Sequence, residues 1–319
     1  MSSAQEALPT SPYFTLECLA DGVYAAIIAP GMGAWGNAGI LNLGDATLVF
    51  DTFLTPGAAR DLRRVAEQVT GQPVRYVVNS HYHMDHIHGN QVFENAVILA
   101  TERTRELLAD RGAELIAQVK AHPEYPDSFD ELIQQAPDEA RRRDLVDTQR
   151  EYRALNDDRG ELTLRLPDIT FEQSLTLHGS QRTAQLLCYG GGHTPSDAFL
   201  YLPAERIAFL GDLVSVQTHP SFYGDADAWM GILDRLAQLD IQRLVPGHGA
   251  VGTPANIRAV RQYIADLAAL TAADIAGAID IPAAYADWAA PTTFDDNIGY
   301  FRQRQQVQQV QQETVNQPS

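Results

Sequence analysis

Cysteine is nearly absent. Cys18 and Cys188 are the only two in 319 residues, too few for a disulfide framework. No apolar run approaches the ~18 residues that a membrane-crossing helix needs. The opening segment, MSSAQEALPTSPYF, lacks the basic start and apolar stretch of a secretory leader, so a cytoplasmic protein with no membrane partner is expected. Positive charge is scarce as well. Lys plus Arg number 23 against 41 Asp plus Glu, for a net charge of −18. A surface this acidic repels phosphate backbones, which argues against nucleic acid as a partner. There is no G-x-S-x-G nucleophile elbow and no internal repeat.

What is present is the composition of a globular domain, 45% hydrophobic and 20% charged, enough for a sizeable core. The first stretch reads as strands at 13–19, 23–29, 37–43 and 46–51, with Gly44-Asp45 as a two-residue hairpin turn. Thr55-Pro56 is a cap followed by proline at the first helical position, so a helix is expected to about Thr70, ended by Gly71 and Pro73. Strands follow at 74–79 and 96–100. Residues 102–160 are highly charged and read as a helical excursion, with helices near 102–120 and 138–156 around a proline-bearing loop, AHPEYPDSF. Strands return at 169–171, 174–177, 183–188, 198–202, 206–210 and 242–245. In the helix predicted at 227–239, Trp229, Ile232, Leu233 and Leu236 share one face. Thr253-Pro254 starts another helix, reaching about Leu270. From Gln303 the chain is Gln-rich without apolar periodicity and is expected to be disordered. Strands alternate with helices in each half, yet the first strands run consecutively. This suits a layered α/β protein with mixed sheets.

Residues 79–90 read Asn-Ser-His-Tyr-His-Met-Asp-His-Ile-His-Gly-Asn. In an extended segment, i and i+2 point the same way, so His81 and His83 can grip one metal. Asp85 and His86, where the chain turns toward a helix, can reach a second. Imidazole and carboxylate suit zinc, and also iron or manganese. A solvated polar loop is the mundane alternative, but so many clustered imidazoles argue against it. Three further candidates follow predicted strands beside glycines: His193 in GGGHTPSD, Asp212 in FLGD and His248 in VPGHG. Singly, each is an ordinary turn. After the histidine run they form a set. Cys188, within an apolar strand, reads as a packed thiol.

HYHMDH, GGHT, GD and PGHG, in that order, resemble the metallo-β-lactamase superfamily of metallo-hydrolases, as does the opening stretch NAGILNLGDATLVFDT. The resemblance implies a four-layer αβ/βα sandwich with two mixed sheets and one catalytic domain over 13–270. The excursion at 102–160 is then an insertion, with an extension over 271–302 and the Gln-rich tail over 303–319. It implies two divalent metal ions, zinc in the first instance, with iron or manganese as alternatives. His81, His83 and His193 would hold one, Asp85, His86 and His248 the other, and Asp212 would bridge both. A metal-bridging hydroxide would then attack a small ester, lactone or thioester, with Asp85 also orienting water or relaying a proton. Thr194, Ser196 and Asp197 are candidates to orient the ligands.

Asp212 stands where true metallo-β-lactamases typically carry Cys or Ser, which favours the glyoxalase II and lactonase-like branches and leaves β-lactam turnover as a side activity. Leu213, Val214 and Ser215 follow, where quorum-signal lactonases tend to carry Tyr, and no basic cluster suits glutathione carboxylates. An iron-dependent oxidoreductase on the same fold, such as a sulfur dioxygenase or a flavodiiron-like protein, is the alternative class. Met32 and Trp35, in a loop between early strands, and His219, Phe222 and Tyr223, after Asp212, are the candidate contacts to a small-molecule substrate. The insertion is a candidate for the substrate entrance or for a homo-oligomer interface.

Overall fold

Apolar strands capped by tight turns account for most of the architecture. The computed structural model describes residues 8–274 and 277–315. β1 (Phe14–Ala20), β2 (Val23–Ile28), β3 (Ala38–Asn42) and β4 (Thr47–Phe50) form an antiparallel meander. The β3–β4 turn is closed by Leu43 N–H donating to the Ala46 carbonyl at 2.8 Å, around Gly44-Asp45. α1 (Pro56–Thr70) begins as the sequence predicts: the Thr55 side chain accepts from Ala58 N and Pro56 opens the helix. β5 (Val74–Val78) then pairs parallel to β4. The short α2 (Met84–Ile87) and β6 (Val97–Thr101) follow. The insertion contains α3 (Glu102–Ala121), α4 (Phe129–Gln135) and α5 (Glu139–Asp157). The segment expected as a loop is thus partly helical, with a 3-10 turn at Tyr125–Ser128 leading into α4. β7 (Ile169–Phe171) completes a seven-stranded sheet in the order β1 to β7.

The second sheet has the order β12-β11-β10-β9-β8, from β8 (Ser174–His178), β9 (Thr183–Cys188), β10 (Ala198–Leu202), β11 (Ile207–Ser215) and β12 (Arg243–His248). Only β11 and β12 pair in parallel. Between them lies α6 (Ala226–Leu236); after them come α7 (Pro254–Ala273) and α8 (Pro291–Val315).

Packing makes four layers. The sheets face each other through Val23, Leu41, Phe50, Val78, Leu186, Leu200 and Phe209. The Phe50 and Phe209 rings lie 5.9 Å apart. α1 buries Leu62, Val65 and Ala66 on the outer face of the first sheet. Trp229, Ile264 and Phe294 of α6, α7 and α8 cover the outer face of the second. Fold class and layering agree with the sequence-based expectation. The C-terminal segment does not follow it. Phe294, Ile298 and Phe301 join the core of the outer helical layer, and α8 continues through the Gln-rich stretch to Val315. Gln is a good helix former, and a helix already anchored by packing is extended more easily than one nucleated afresh. Residues 316–319 of the expected tail lie outside the described residues.

Candidate metal centre

The seven donors converge at one edge of the two sheets. His81 and His83 follow the end of β5, and α2 carries Asp85 and His86. His193 projects from the β9–β10 loop, and His248 ends β12. Asp212 lies inside β11, not after it as expected. The β11–β12 register shifts around Gly211, whose φ is +51°. Such a bulge bends the strand and re-aims the next side chain. The glycine before His248 is required by proximity: a Cβ on Gly247 would stand 1.8 Å from Asp212 Oδ1. Asn37, at the start of β3, donates to the Pro246 and Gly249 carbonyls at 3.0 and 2.8 Å and so fixes the turn that carries His248.

Two groups of potential ligand atoms result, each within 4.8 Å: His81, His83, His193 and Asp212, and Asp85, His86 and His248. Asp212 reaches both. Its Oδ2 is 3.2 Å from His193 Nε2 and 3.4 Å from His248 Nε2, and its Oδ1 is 3.2 Å from His86 Nε2. Asp85 Oδ2 lies 3.2 Å from His86 Nε2 and 3.4 Å from His248 Nε2. His83 faces the centre with Nδ1, 3.2 Å from His193 Nε2.

The sequence pattern of the Metallo-beta-lactamase superfamily matches residues 36–248, a span that contains every one of these donors. The chain belongs to this superfamily. A Metallo-beta-lactamase type 2 from Bacteroides fragilis is 33% identical over 110 residues, which is 33% of this chain and 44% of that protein. The chain therefore matches less than half the length of this curated relative. Among solved structures, a metallo-beta-lactamase from Pontibacter korlensis aligns with a TM-score of 0.58 at 17% identity, covering 79% of this chain and 99% of that one. The metallo-beta-lactamase FIM-1 from Pseudomonas aeruginosa, in its mono-zinc form, aligns with a TM-score of 0.57 at 17% identity, covering 82% and 98%. At this identity the two structures establish the fold.

The superfamily implies a divalent metal, and the buried atoms of this chain fit one. His81 Nε2, His86 Nε2 and Asp212 Oδ1 are buried with no hydrogen-bond partner, a costly arrangement unless a cation takes the lone pairs. The imidazole tautomers agree. His86 Nδ1 lies 2.9 Å from Asp51 Oδ2, so it donates and leaves Nε2 bare. Ser80 Oγ donates to the same Asp51 Oδ2 at 2.8 Å, so it must accept from His81 Nδ1 at 2.9 Å, and His81 Nε2 is bare too. His193 Nδ1 faces the Ser221 carbonyl at 2.8 Å, with the same result. Hydrogen bonds of this kind set which nitrogen binds metal.

The electrostatics follow from burial and crowding. Burial, reinforced by His193, brings His83 down to about 3. Burial would also lower His248, but Asp212 and Asp85 carry it up to about 10. A cation held by the same carboxylates would compete with the proton on His248, so metal binding at such a site releases protons.

Asp51 and Ser80 were missed by sequence reasoning. Asp51 closes the strand in LVFDT, and its φ of +60° was the structural oddity. Its partners are 29 and 35 residues away, so no local motif joins them. Of the residues expected to orient ligands, Asp197 accepts from Gly192 N at 2.8 Å and from the Thr194 hydroxyl at 2.6 Å, which shapes the loop carrying His193. Ser196 instead bonds Thr101 across the sheets at 2.5 Å.

The expected substrate contacts divide. The Tyr223 ring packs on His83 at 4.6 Å and stays 60% exposed. Met32 is exposed, and Trp35 meets Tyr152 edge-on at 5.2 Å. The loop they occupy lies over the centre, since a Cβ on Gly36 would stand 2.8 Å from His86 Cε1. His219 and Phe222 are corrections. His219 N–H donates to the Ala289 carbonyl at 3.0 Å, its Nδ1 meets the Tyr263 hydroxyl at 3.0 Å, and its ring is buried among Tyr263, Trp288 and Phe294. Phe222 stacks on Tyr300 at 5.1 Å within the outer helical core. The cause is a backbone turn at Gln217, φ +51°, after which Thr218 pairs with Ala289 and draws the segment under α8. Cys188 is half-buried and belongs to neither group, as expected of a packed thiol.

Proposed function

We propose that this superfamily member is a dinuclear zinc hydrolase of a small ester, lactone or thioester. The observation that carries the reading is the placement of Asp212, whose carboxylate reaches imidazoles of both groups: Oδ2 lies 3.2 Å from His193 Nε2 of one and 3.4 Å from His248 Nε2 of the other, and Oδ1 lies 3.2 Å from His86 Nε2. A superfamily fold with paired His/Asp groups supports a metal-dependent hydrolase. Two ions and this substrate class are the finer claim.

His81, His83 and His193 would hold one ion, Asp85, His86 and His248 the other, with Asp212 shared. Bound there, divalent metal supplies an acidified water and polarises the substrate carbonyl. The chain does the rest. Asp51 and Ser80 keep Nε2 of His86 and His81 directed at the centre. Asp85, with a side chain 15% exposed at the opening, is the acceptor best placed to orient water or take its proton. Tyr223 and the 31–36 loop border the opening and restrict water.

Metal analysis with a substrate panel tests this. Protein refolded with zinc should carry about two equivalents per chain and cleave lactones, thioesters or p-nitrophenyl esters faster than a chromogenic cephalosporin. One equivalent of iron with no hydrolysis would instead favour the oxidoreductase class.

A further inference from the structure

The helical insertion and Met84 line a half-open cavity of about 270 Å³. Leu115 and Val119 of α3, Pro126, Tyr152 and Leu155 of α5, and Met84 of α2 form its apolar walls. Met84 is the wall shared with the centre, because it stands between the donors His83 and Asp85. Tyr152 closes the same side: its ring meets Trp35 of the overlying loop at 5.2 Å. Burial raises the Tyr152 hydroxyl above its usual range.

The lining selects a chemistry. Among the described residues, no lysine or arginine lines the cavity, and His122, at its rim, is engaged by Glu124 at 3.0 Å. A charged tail would be desolvated there without a counter-ion. An aliphatic chain meets Leu, Val, Met and Pro instead, with the uncharged amides of Gln118 and Asn156 as further polar lining. The volume admits on the order of nine water-sized groups, which matches a medium-length chain rather than a whole drug-sized ligand. Leu115 and Tyr125, at the mouth, are 40% and 48% exposed, apolar surface that an occupant would cover.

We propose that this cavity receives the uncharged aliphatic acyl chain of the substrate, so that the enzyme's esters or thioesters are those of medium-chain acyl groups. The substrate assignment rests on the hydrolase reading above; the binding site does not.

Two measurements separate them. In the first, metal-free protein is titrated with 1-octanol and 1-butanol by calorimetry and by intrinsic tryptophan fluorescence. The octyl compound should bind on the order of a hundredfold tighter, about fourfold per methylene. Val119→Phe, which narrows the cavity, and Leu115→Phe, at its exposed rim, should each erase most of that difference. In the second, zinc-loaded protein is assayed on p-nitrophenyl octanoate and butyrate, and the same variants should lower the octanoate-to-butyrate ratio of kcat/KM at least about tenfold. Octanol binding lost in the variants, without cleavage of either ester, would sustain the cavity and sink the hydrolase reading. Chain-length-independent binding, or binding unchanged in both variants, would overturn the cavity proposal. So would a dimer in sedimentation that octanol dissociates, since the cavity would then belong to a second copy of the chain.

Discussion

The metal cage and the helical insertion meet at Met84, yet they are held by different forces. The cage is buried and directional. Asp51, Ser80 and Asn37 fix its imidazoles and turns through hydrogen bonds of 2.8–3.0 Å in places water does not reach. The insertion is charged and largely exposed. Many of its ion pairs, such as Arg142–Glu139 and Arg103–Glu106, lie in solvent, where such pairs contribute little. It is fastened at a few points: Glu151 accepts from Gly31 N at 2.6 Å and Gly33 N at 2.7 Å, and Asp158 accepts from Gly57 N at 2.7 Å. A precise centre sits beside a softer wall, and the difference assigns chemistry to the first and reach to the second.

Breaking the cage should have the largest effect. Asp212→Ala removes the shared carboxylate, and zinc analysis should show metal loss with turnover reduced by about a thousandfold or more. Asp85→Ala should also abolish most turnover while leaving the circular dichroism spectrum near wild type. Asp51→Asn tests the support. It puts an amide donor where two groups donate, and chelator competition should show metal affinity lowered ~10–100-fold. If Asp51→Asn binds zinc as wild type does, the rigidity attributed to the cage is wrong.

The insertion and the outer helical layer should respond to pH in opposite senses. Burial raises Glu151 to about 7. Its folded form holds a proton that the unfolded chain has lost above about 4.5, so its contribution is greatest at low pH and is lost as pH rises to about 7. Limited proteolysis between residues 102 and 160 should speed up over that window. Glu151→Ala leaves two amides unpaired and should cost about 1–3 kcal/mol in urea unfolding. Burial lowers His219, in the outer helical core, to about 4. The unfolded chain gains its proton first, so stability falls as pH drops from about 6.5 to about 4, by at most about 1.4 kcal/mol per pH unit. His219→Phe should shift acid unfolding to lower pH. The smallest effect expected is that of Arg142→Ala, below about 0.5 kcal/mol; a larger loss would mean that surface charge holds the insertion.

Much of the fold was legible because its signals are local. Thr55-Pro56, Thr253-Pro254 and the α6 face of Trp229, Ile232, Leu233 and Leu236 each need only neighbouring residues to be read. The seven donors were legible because chemistry concentrates unusual residues at short spacing. The rest depends on long-range partners. Asp51 acts on residues 29 and 35 positions away, and the burial of His219 depends on Ala289. α8 gave no periodic signal because its Gln-rich end is helical by propensity and by anchorage at Phe294 and Phe301, not by an amphipathic stripe.

The position of Met84 limits how such an enzyme can be retuned. Flanked on both sides by donors, it has little freedom to shift without disturbing them. A library aimed at shorter or longer guests would do better to vary the far bank of the chamber, where Leu115, Val119 and Tyr125 lie away from the donors.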